Sequence, residues 1–169
     1  EEPLSPIAEA YRSLRTNIWI SSVDEPVRTL IVTSPNAREG KSTTAANLAV
    51  VVAQGGKSVI LVDADLRRSS LHRYFSLPGK EGLTNVLMQD KQGLDGCLQE
   101  TGVENLRVLT SGPLPPDPAD LLGSKKMQHF IDALKYEADL VIFDTPPALP
   151  VSDAAVLALE TDAVLLVVD

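Results

Sequence analysis

The sequence is 169 residues long, 44% hydrophobic and 22% charged, with a formal net charge of -8 and a pI near 4.7. That length suffices for one substantial core and is short for two, so residues 1–169 are expected to form a single domain, with an N-terminal helix within 1–24 and a core over 25–169. The acidic balance excludes a surface built to neutralise a nucleic-acid backbone, and the single cysteine, Cys97, excludes an intrachain disulfide or a cysteine metal cluster and fits a reducing cytosol.

In chain order, Ser5-Pro6 reads as a helix start, and Pro6–Ser21 as a helix whose buried stripe is Ile7, Tyr11, Leu14 and Ile18. Glu9, Arg12 and Arg15 lie outside that stripe, and on spacing alone they fit a solvated face with a weak Glu9–Arg12 ion pair. Leu30–Val32 reads as a strand, Ser42–Gln54 as a helix stopped by Gly55-Gly56, and Val59–Val62 as the next strand. Helical stretches follow at Leu83–Met88 and Gly93–Cys97, then a strand at Leu106–Leu109 and a Pro/Gly-rich surface loop over Ser111–Pro118. Helices at Pro118–Leu122 and Lys125–Tyr136, a strand at Leu140–Phe143, a helix at Ser152–Leu159 and a strand at Val164–Val168 complete the series. Apolarity along these strands is near-continuous, the habit of strands covered on both faces. The expected fold is therefore α/β: a doubly wound, mainly parallel sheet with helices on both faces.

No apolar run is long enough to cross a bilayer and no signal-peptide pattern opens the chain, so a soluble piece is expected. The chain opens at Glu1 without methionine and stops at Asp169 directly after an apolar strand-like run, which reads as a segment of something longer, truncated at its C-terminal end.

Chemistry concentrates at three strand ends. Thr33 to Thr44 lies between a strand and a helix, where a phosphate-binding loop belongs. Asn36, Ala37, Arg38, Glu39, Gly40, Lys41, Ser42 and Thr43 are the candidate nucleotide-binding residues. Gly40 lets backbone approach an anion, the helix start offers unpaired N–H groups and a positive dipole end, Lys41 adds a charge for the outer phosphates, and the Ser42 hydroxyl suits magnesium. Pro35 stands where the strict pattern has its first glycine, and Asn36 beside it tolerates a left-handed bend. The competing reading is a strand-to-helix turn with an incidental Gly-Lys-Ser. At the next strand end, Asp63 and Asp65 are two carboxylates one residue apart, placed by period-two geometry on one face and by the parallel sheet on the rim of the phosphate loop. Two such anions favour a hard cation, magnesium, with one carboxylate for the metal and the other for a proton. A third strand ends in Asp144 before Thr145-Pro146-Pro147, which resembles a Walker B element. Singly, each of these aspartates also fits a cap or turn. Arg67, Arg68 and Arg73 read as a basic patch or a solvated surface.

Glu9-Ala10-Tyr11-Arg12-Ser13-Leu14-Arg15, the Glu39-Gly40-Lys41-Ser42-Thr43 loop, Val62-Asp63-Ala64-Asp65-Leu66-Arg67-Arg68, the loop from Pro115 to Leu122 and Asp144-Thr145-Pro146-Pro147 together resemble the bacterial tyrosine kinases. These are P-loop relatives of the MinD and ParA ATPases, found as cytoplasmic domains of polysaccharide co-polymerases. The resemblance spans nearly the whole chain. It implies transfer of the γ-phosphoryl group of ATP to tyrosines, leaving ADP, with catalytic residues Lys41, Asp63 and Asp65. Lys41 would sit on the phosphates, Ser42, Asp63 and Asp144 around Mg2+, with Asp65 supporting them and Asp63 the base for the tyrosine hydroxyl. It further implies a homo-oligomeric ring assembled through Glu9, Arg12 and Arg15, phosphorylation in trans of a neighbour's tyrosine-rich tail, a place at the cytoplasmic face of the inner membrane beside a co-polymerase segment or activator, and control of capsular or exopolysaccharide export. Tyr11, Tyr74 and Tyr136 are scattered and form no tail, and Ser69 stands where the family usually has proline. Two other readings share the fold: a MinD/ParA-like ATPase, against which Asn36 weighs because those relatives have a lysine there, and a nucleotide-binding scaffold without kinase chemistry.

Overall fold

A computed structural model describes residues 5–89, 94 and 96–169. The helix α1 (Pro6–Ser21) starts as its sequence dictates, with the Ser5 hydroxyl accepting from the Ala8 amide at 3.1 Å and Pro6 in the first turn. Strand β1 (Thr29–Thr33) leads through the loop into α2 (Lys41–Gln54), which is followed by β2 (Val59–Asp63), α3 (Leu71–Tyr74) and α4 (Leu83–Met88). The second half comprises β3 (Gln99–Glu100), β4 (Leu106–Leu109), α5 (Pro118–Leu122), α6 (Lys125–Glu137), β5 (Leu140–Asp144), α7 (Asp153–Ala158) and β6 (Ala163–Leu166). The sheet runs β3-β4-β2-β5-β1-β6, parallel throughout except for the β3–β4 pair.

Alternation along the central strands divides the core into two layers. Leu30, Val32, Val59, Leu61, Leu140 and Ile142 face α2 and α3, with Tyr11, Leu14, Ile18 and Trp19 of α1 packed over them. Ile31, Ile60, Val62, Val141 and Phe143 face the opposite layer, built by α4 to α7. Every residue of β1, β2 and β5 is buried, as the unbroken apolar runs require. Two carboxylates pin the N-terminal edge of the sheet: Asp139 accepts from the Ser58 amide at 2.8 Å, and Asp162 from the Arg28 and Thr29 amides, each at 2.9 Å. Those bonds hold both carboxyls below the ordinary value: for Asp139 they are the leading cause, for Asp162 they outweigh the opposing effect of burial.

Four expectations need correction. Ile7 is 66% exposed; the inward place it was expected to take belongs to Ala8, and Trp19 joins the stripe one turn from its end. The last strand is an edge that bonds only to β1, and Val164, Leu166 and Val168 lie open. The antiparallel β3 and the single-turn α3 carry no periodicity and were not expected. The helix expected over Gly93–Cys97 is not seen at its described residues: Leu94, Gly96 and Cys97 lie in bends and turns, with Gly96 at φ 79°, while Gly93 and Asp95 lie outside the described residues. No helix among the described residues is long and apolar enough to cross a membrane.

Candidate active site

The parallel sheet brings the ends of β1, β2 and β5 to one rim. Asp63 and Asp144 are in register on neighbouring strands. Both have the parity of Leu61 and Ile142, so both side chains point to the layer where α2 begins. Lys41, the first residue of that helix, meets them: its Nζ stands 3.6 Å from Asp144 Oδ1 and 3.0 Å from Asp65 Oδ2, and donates to the Ser42 hydroxyl at 3.2 Å. Asp65 is oriented by the Arg68 amide, which donates to its other oxygen at 2.9 Å. Asp63 Oδ2 accepts from the Ser70 and Leu71 amides at 2.9 and 3.0 Å. Its Oδ1 and both oxygens of Asp144 are buried and meet no donor in hydrogen-bonding geometry.

The loop before α2 is shaped by its own side chains. Gly40 takes φ 85° as the residue before the helix, a left-handed conformation that suits glycine, and no side chain caps the helix start there. Glu39 reaches back so that its carboxylate accepts from the Asn36 amide at 2.9 Å and from the Asn36 side chain at 3.2 Å. This clasp closes the bend at the place where the strict motif has a glycine. A cavity of about 350 Å³ opens beside the loop, lined by Ala37, Arg38, Gly40, Lys41, Ser42 and Thr43 on one side and by Asp65, Arg68, Ser70 and Tyr74 on the other. Asp63 and Asp144 lie beneath it, behind Lys41.

Burial dominates the electrostatics. It pushes Asp63 up to about 7, with the Asp144 charge adding to it and the Leu71 and Ser70 amides opposing. It pushes Asp144 up to about 6 against the pull of the Lys41 ammonium and the Ser42 hydroxyl. Burial works against the Lys41 charge too, but Asp144 and Asp65 outweigh it and hold the ammonium above its ordinary range. Because Asp63 binds its proton more tightly folded than unfolded, its contribution to stability falls as pH rises from 3.8 to about 7. Asp63→Asn keeps an acceptor for both amides and removes the titration. In EDTA it is expected to raise the melting temperature at pH 8 by roughly 3–6 °C and to change little at pH 5; a lower melting temperature at pH 8 would contradict this electrostatic picture.

Three buried carboxylate oxygens without donors, beside a serine hydroxyl and an anion-ready helix start, fit a magnesium ion that keeps water and phosphate oxygens in its shell. They do not close into an all-protein cage, and no group of three His, Cys, Asp or Glu side chains among the described residues is arranged to hold a metal by itself. The residues expected at the site thus gather at one rim: Lys41, Ser42, Asp63, Asp65 and Asp144 meet, and residues 36–43 form the adjoining loop.

Over 171 aligned residues, the chain is 50% identical to the tyrosine-protein kinase YwqD of Bacillus subtilis, covering 99% of this chain and 70% of that protein. The chain belongs to the bacterial tyrosine-protein kinase family. A family model described as an AAA domain matches residues 31–169. The solved kinase domain of the Escherichia coli tyrosine kinase ETK superposes with a TM-score of 0.93 at 35% identity, over 99% of this chain and 65% of that one. A more distant likeness, TM-score 0.69 at 27% identity over 83% and 57% of the two chains, is to the septum site-determining protein MinD of Pyrococcus horikoshii complexed with Mg-ADP. This kinase family is therefore built on the P-loop nucleotide-binding fold, and MinD stands as its distant relative.

Two groups of this family member's residues depart from the sequence reading. The arginine patch is split: Arg67 forms a two-pronged pair with the fully buried Asp153, 3.0 Å on each prong, Arg73 donates weakly to the Ser69 carbonyl, and Arg68 lines the cavity. Arg15 is turned inward, donating to the Val51 carbonyl at 2.9 Å over Gly55, where a Cβ would lie 2.6 Å from the guanidinium. Glu9 pairs with Arg12 at 3.0 Å on the exposed side of α1. Tyr74, whose hydroxyl shares a hydrogen bond with Thr43 at 2.8 Å, is a cavity residue the sequence reading missed. Its neighbours, Arg73 before it and Phe75 after it, gave no signal that singled it out.

Proposed function

We propose that this domain transfers the γ-phosphoryl group of ATP to protein tyrosine, acting within a membrane-bound assembly that controls export of a capsular or extracellular polysaccharide. The observation that carries the reading is the buried Lys41–Asp65–Asp144 group standing over Asp63 at the mouth of the phosphate loop. The start of α2, with no side chain bonded to its first amides, receives the outer phosphates. Lys41 exchanges its carboxylate partners for phosphate oxygens, since its ammonium is already desolvated and positioned at the cavity wall. Ser42, Asp63 and Asp144 would hold magnesium, which when bound neutralises phosphate charge and aligns the outer phosphates. Asp63 Oδ1, free of donors while Oδ2 is anchored by two amides, takes the phenolic proton of the acceptor tyrosine. Acceptor tyrosines come from the tail of a neighbouring chain, and the chains associate through the exposed Glu9–Arg12 side of α1.

The test supplies ATP, magnesium and a tyrosine-rich peptide and measures phosphotyrosine. The native protein is expected to label the peptide, and Asp63→Ala to slow labelling by roughly 10²–10³-fold. ATP hydrolysis without tyrosine labelling would instead make it an ATPase of the MinD and ParA kind, and nucleotide binding with neither activity would make it a scaffold.

A further inference from the structure

Ser70 stands at the head of α3, the position where a serine ordinarily turns its hydroxyl onto the first free amides of a helix. It does not do so here. Its backbone, at φ -142° and ψ -21°, lies outside the extended conformation that capping uses, and no amide of α3 bonds to its side chain. The Arg73 amide, which a capping hydroxyl would take, goes to the Ser70 carbonyl at 3.0 Å. Yet Ser70 Oγ is buried and meets no hydrogen-bond partner among the described residues. A hydroxyl in that condition carries a desolvation cost that alanine would not. The residue lines the cavity, on the wall across from the phosphate loop.

Backbone geometry ties this hydroxyl to Asp63. The Ser70 amide donates to Asp63 Oδ2 at 2.9 Å, so the serine side chain is held within one residue's reach of the carboxylate, and the Leu71 amide at 3.0 Å fixes the same oxygen. Asp63 Oδ1 is left buried without a donor. One anchored unit therefore presents an oxygen that only accepts and a hydroxyl that can donate. A ligand satisfying both must donate to the first and accept from the second, which a hydroxyl group does and a phosphate oxygen does not. We infer that Ser70 binds the acceptor: its Oγ donates to the phenolic oxygen of the incoming tyrosine while the phenol donates to Asp63 Oδ1. The phenol's remaining lone pair then faces the γ-phosphoryl group. In the transfer, the phenolic proton passes to Asp63 Oδ1 and the phenolic oxygen bonds to the γ-phosphorus. The bond from that phosphorus to the bridging oxygen breaks, its electron pair leaving with ADP. The inference rests on the kinase reading of this site and adds the group that holds the nucleophile.

The experiment measures steady-state transfer from ATP and magnesium to a tyrosine-rich peptide, ATP hydrolysis without peptide, ADP binding and melting temperature in native protein, Ser70→Ala and Ser70→Thr. Ser70→Ala is expected to lose roughly tenfold in kcat/KM for the peptide, with KM for ATP and affinity for ADP within about twofold of native. Because the hydroxyl makes no capping bond, this variant is expected to melt at or above the native temperature. Ser70→Thr keeps the hydroxyl and is expected to recover most of the peptide activity. Water is the other hydroxyl that could occupy the place, and a loss confined to ATP hydrolysis would overturn the assignment to tyrosine. Native peptide kinetics in Ser70→Ala, an equal loss in Ser70→Thr, or a parallel loss of ADP binding would overturn it as well, and would leave the kinase reading standing. No labelling by the native protein would remove the kinase reading itself, and this inference with it.

Discussion

Lys41→Met is expected to abolish measurable phosphoryl transfer, with a loss of at least roughly 10²–10³-fold. Methionine retains the apolar stem that fills the space between the strand ends and deletes only the charge that faces Asp65 and Asp144. The ammonium is a cation of the site that reaches the buried carboxylates and the cavity at once, so its loss removes a phosphate contact and frees two like charges to repel. The second effect gives the variant a signature of its own. With the lysine gone, its pull on Asp144 no longer opposes burial, so Asp144 holds its proton still more tightly in the folded chain than in the unfolded one, and stability falls as pH rises through neutrality. Lys41→Met is therefore expected to melt well below native at pH 8 and closer to it at pH 5.5. Loss of transfer with an unchanged melting temperature at pH 8 would show that the ammonium does not neutralise this cluster.

The largest expected loss of stability lies outside the cavity. Arg67→Ala is expected to cost about 3 kcal/mol, because it strands a fully buried carboxylate whose two oxygens each meet a guanidinium nitrogen at 3.0 Å. The partner change is milder: Asp153→Ala leaves a 39%-exposed arginine that water can solvate, with an expected cost of roughly 1 kcal/mol. Urea denaturation of both single variants and the double variant measures the asymmetry, and the double variant is expected to recover part of the Arg67→Ala loss. Equal costs for the two single changes would contradict the burial argument. This pair also ties the start of α7 to the segment after β2 that carries Asp65, so Arg67→Ala is expected to loosen the site as well.

Much of this architecture was legible because the central strands are buried on both faces. Leu30–Val32, Val59–Val62 and Leu140–Phe143 had to be unbroken apolar runs, and unbroken runs are easily seen. Their C-terminal residues then had to meet at one rim, which is why the strand pattern alone brings Asp63, Asp144 and Lys41 together. What escaped was tertiary in origin. The two-residue β3 is defined only by its pairing with β4. Ile7 carries the right spacing for the buried stripe of α1 but sits beyond the reach of the layer beneath, whereas Ala8 is covered. Arg67 and Arg68 are neighbours in sequence with opposite fates, one consumed by Asp153 and the other left at the cavity, and no spacing rule separates them. The strained φ of Arg38 likewise follows from the Glu39 clasp, a contact between residues whose types fit many loops.

The most direct test of the central claim is a structure of the protein with magnesium and a non-hydrolysable ATP analogue. The expected result has the phosphates against residues 38–43, Lys41 Nζ withdrawn from Asp65 onto phosphate oxygens, and the ion beside the Ser42 hydroxyl with the donorless oxygens of Asp63 or Asp144 turned to it. Nucleotide bound elsewhere, with the Lys41–Asp65 pair still closed at 3.0 Å, would contradict it.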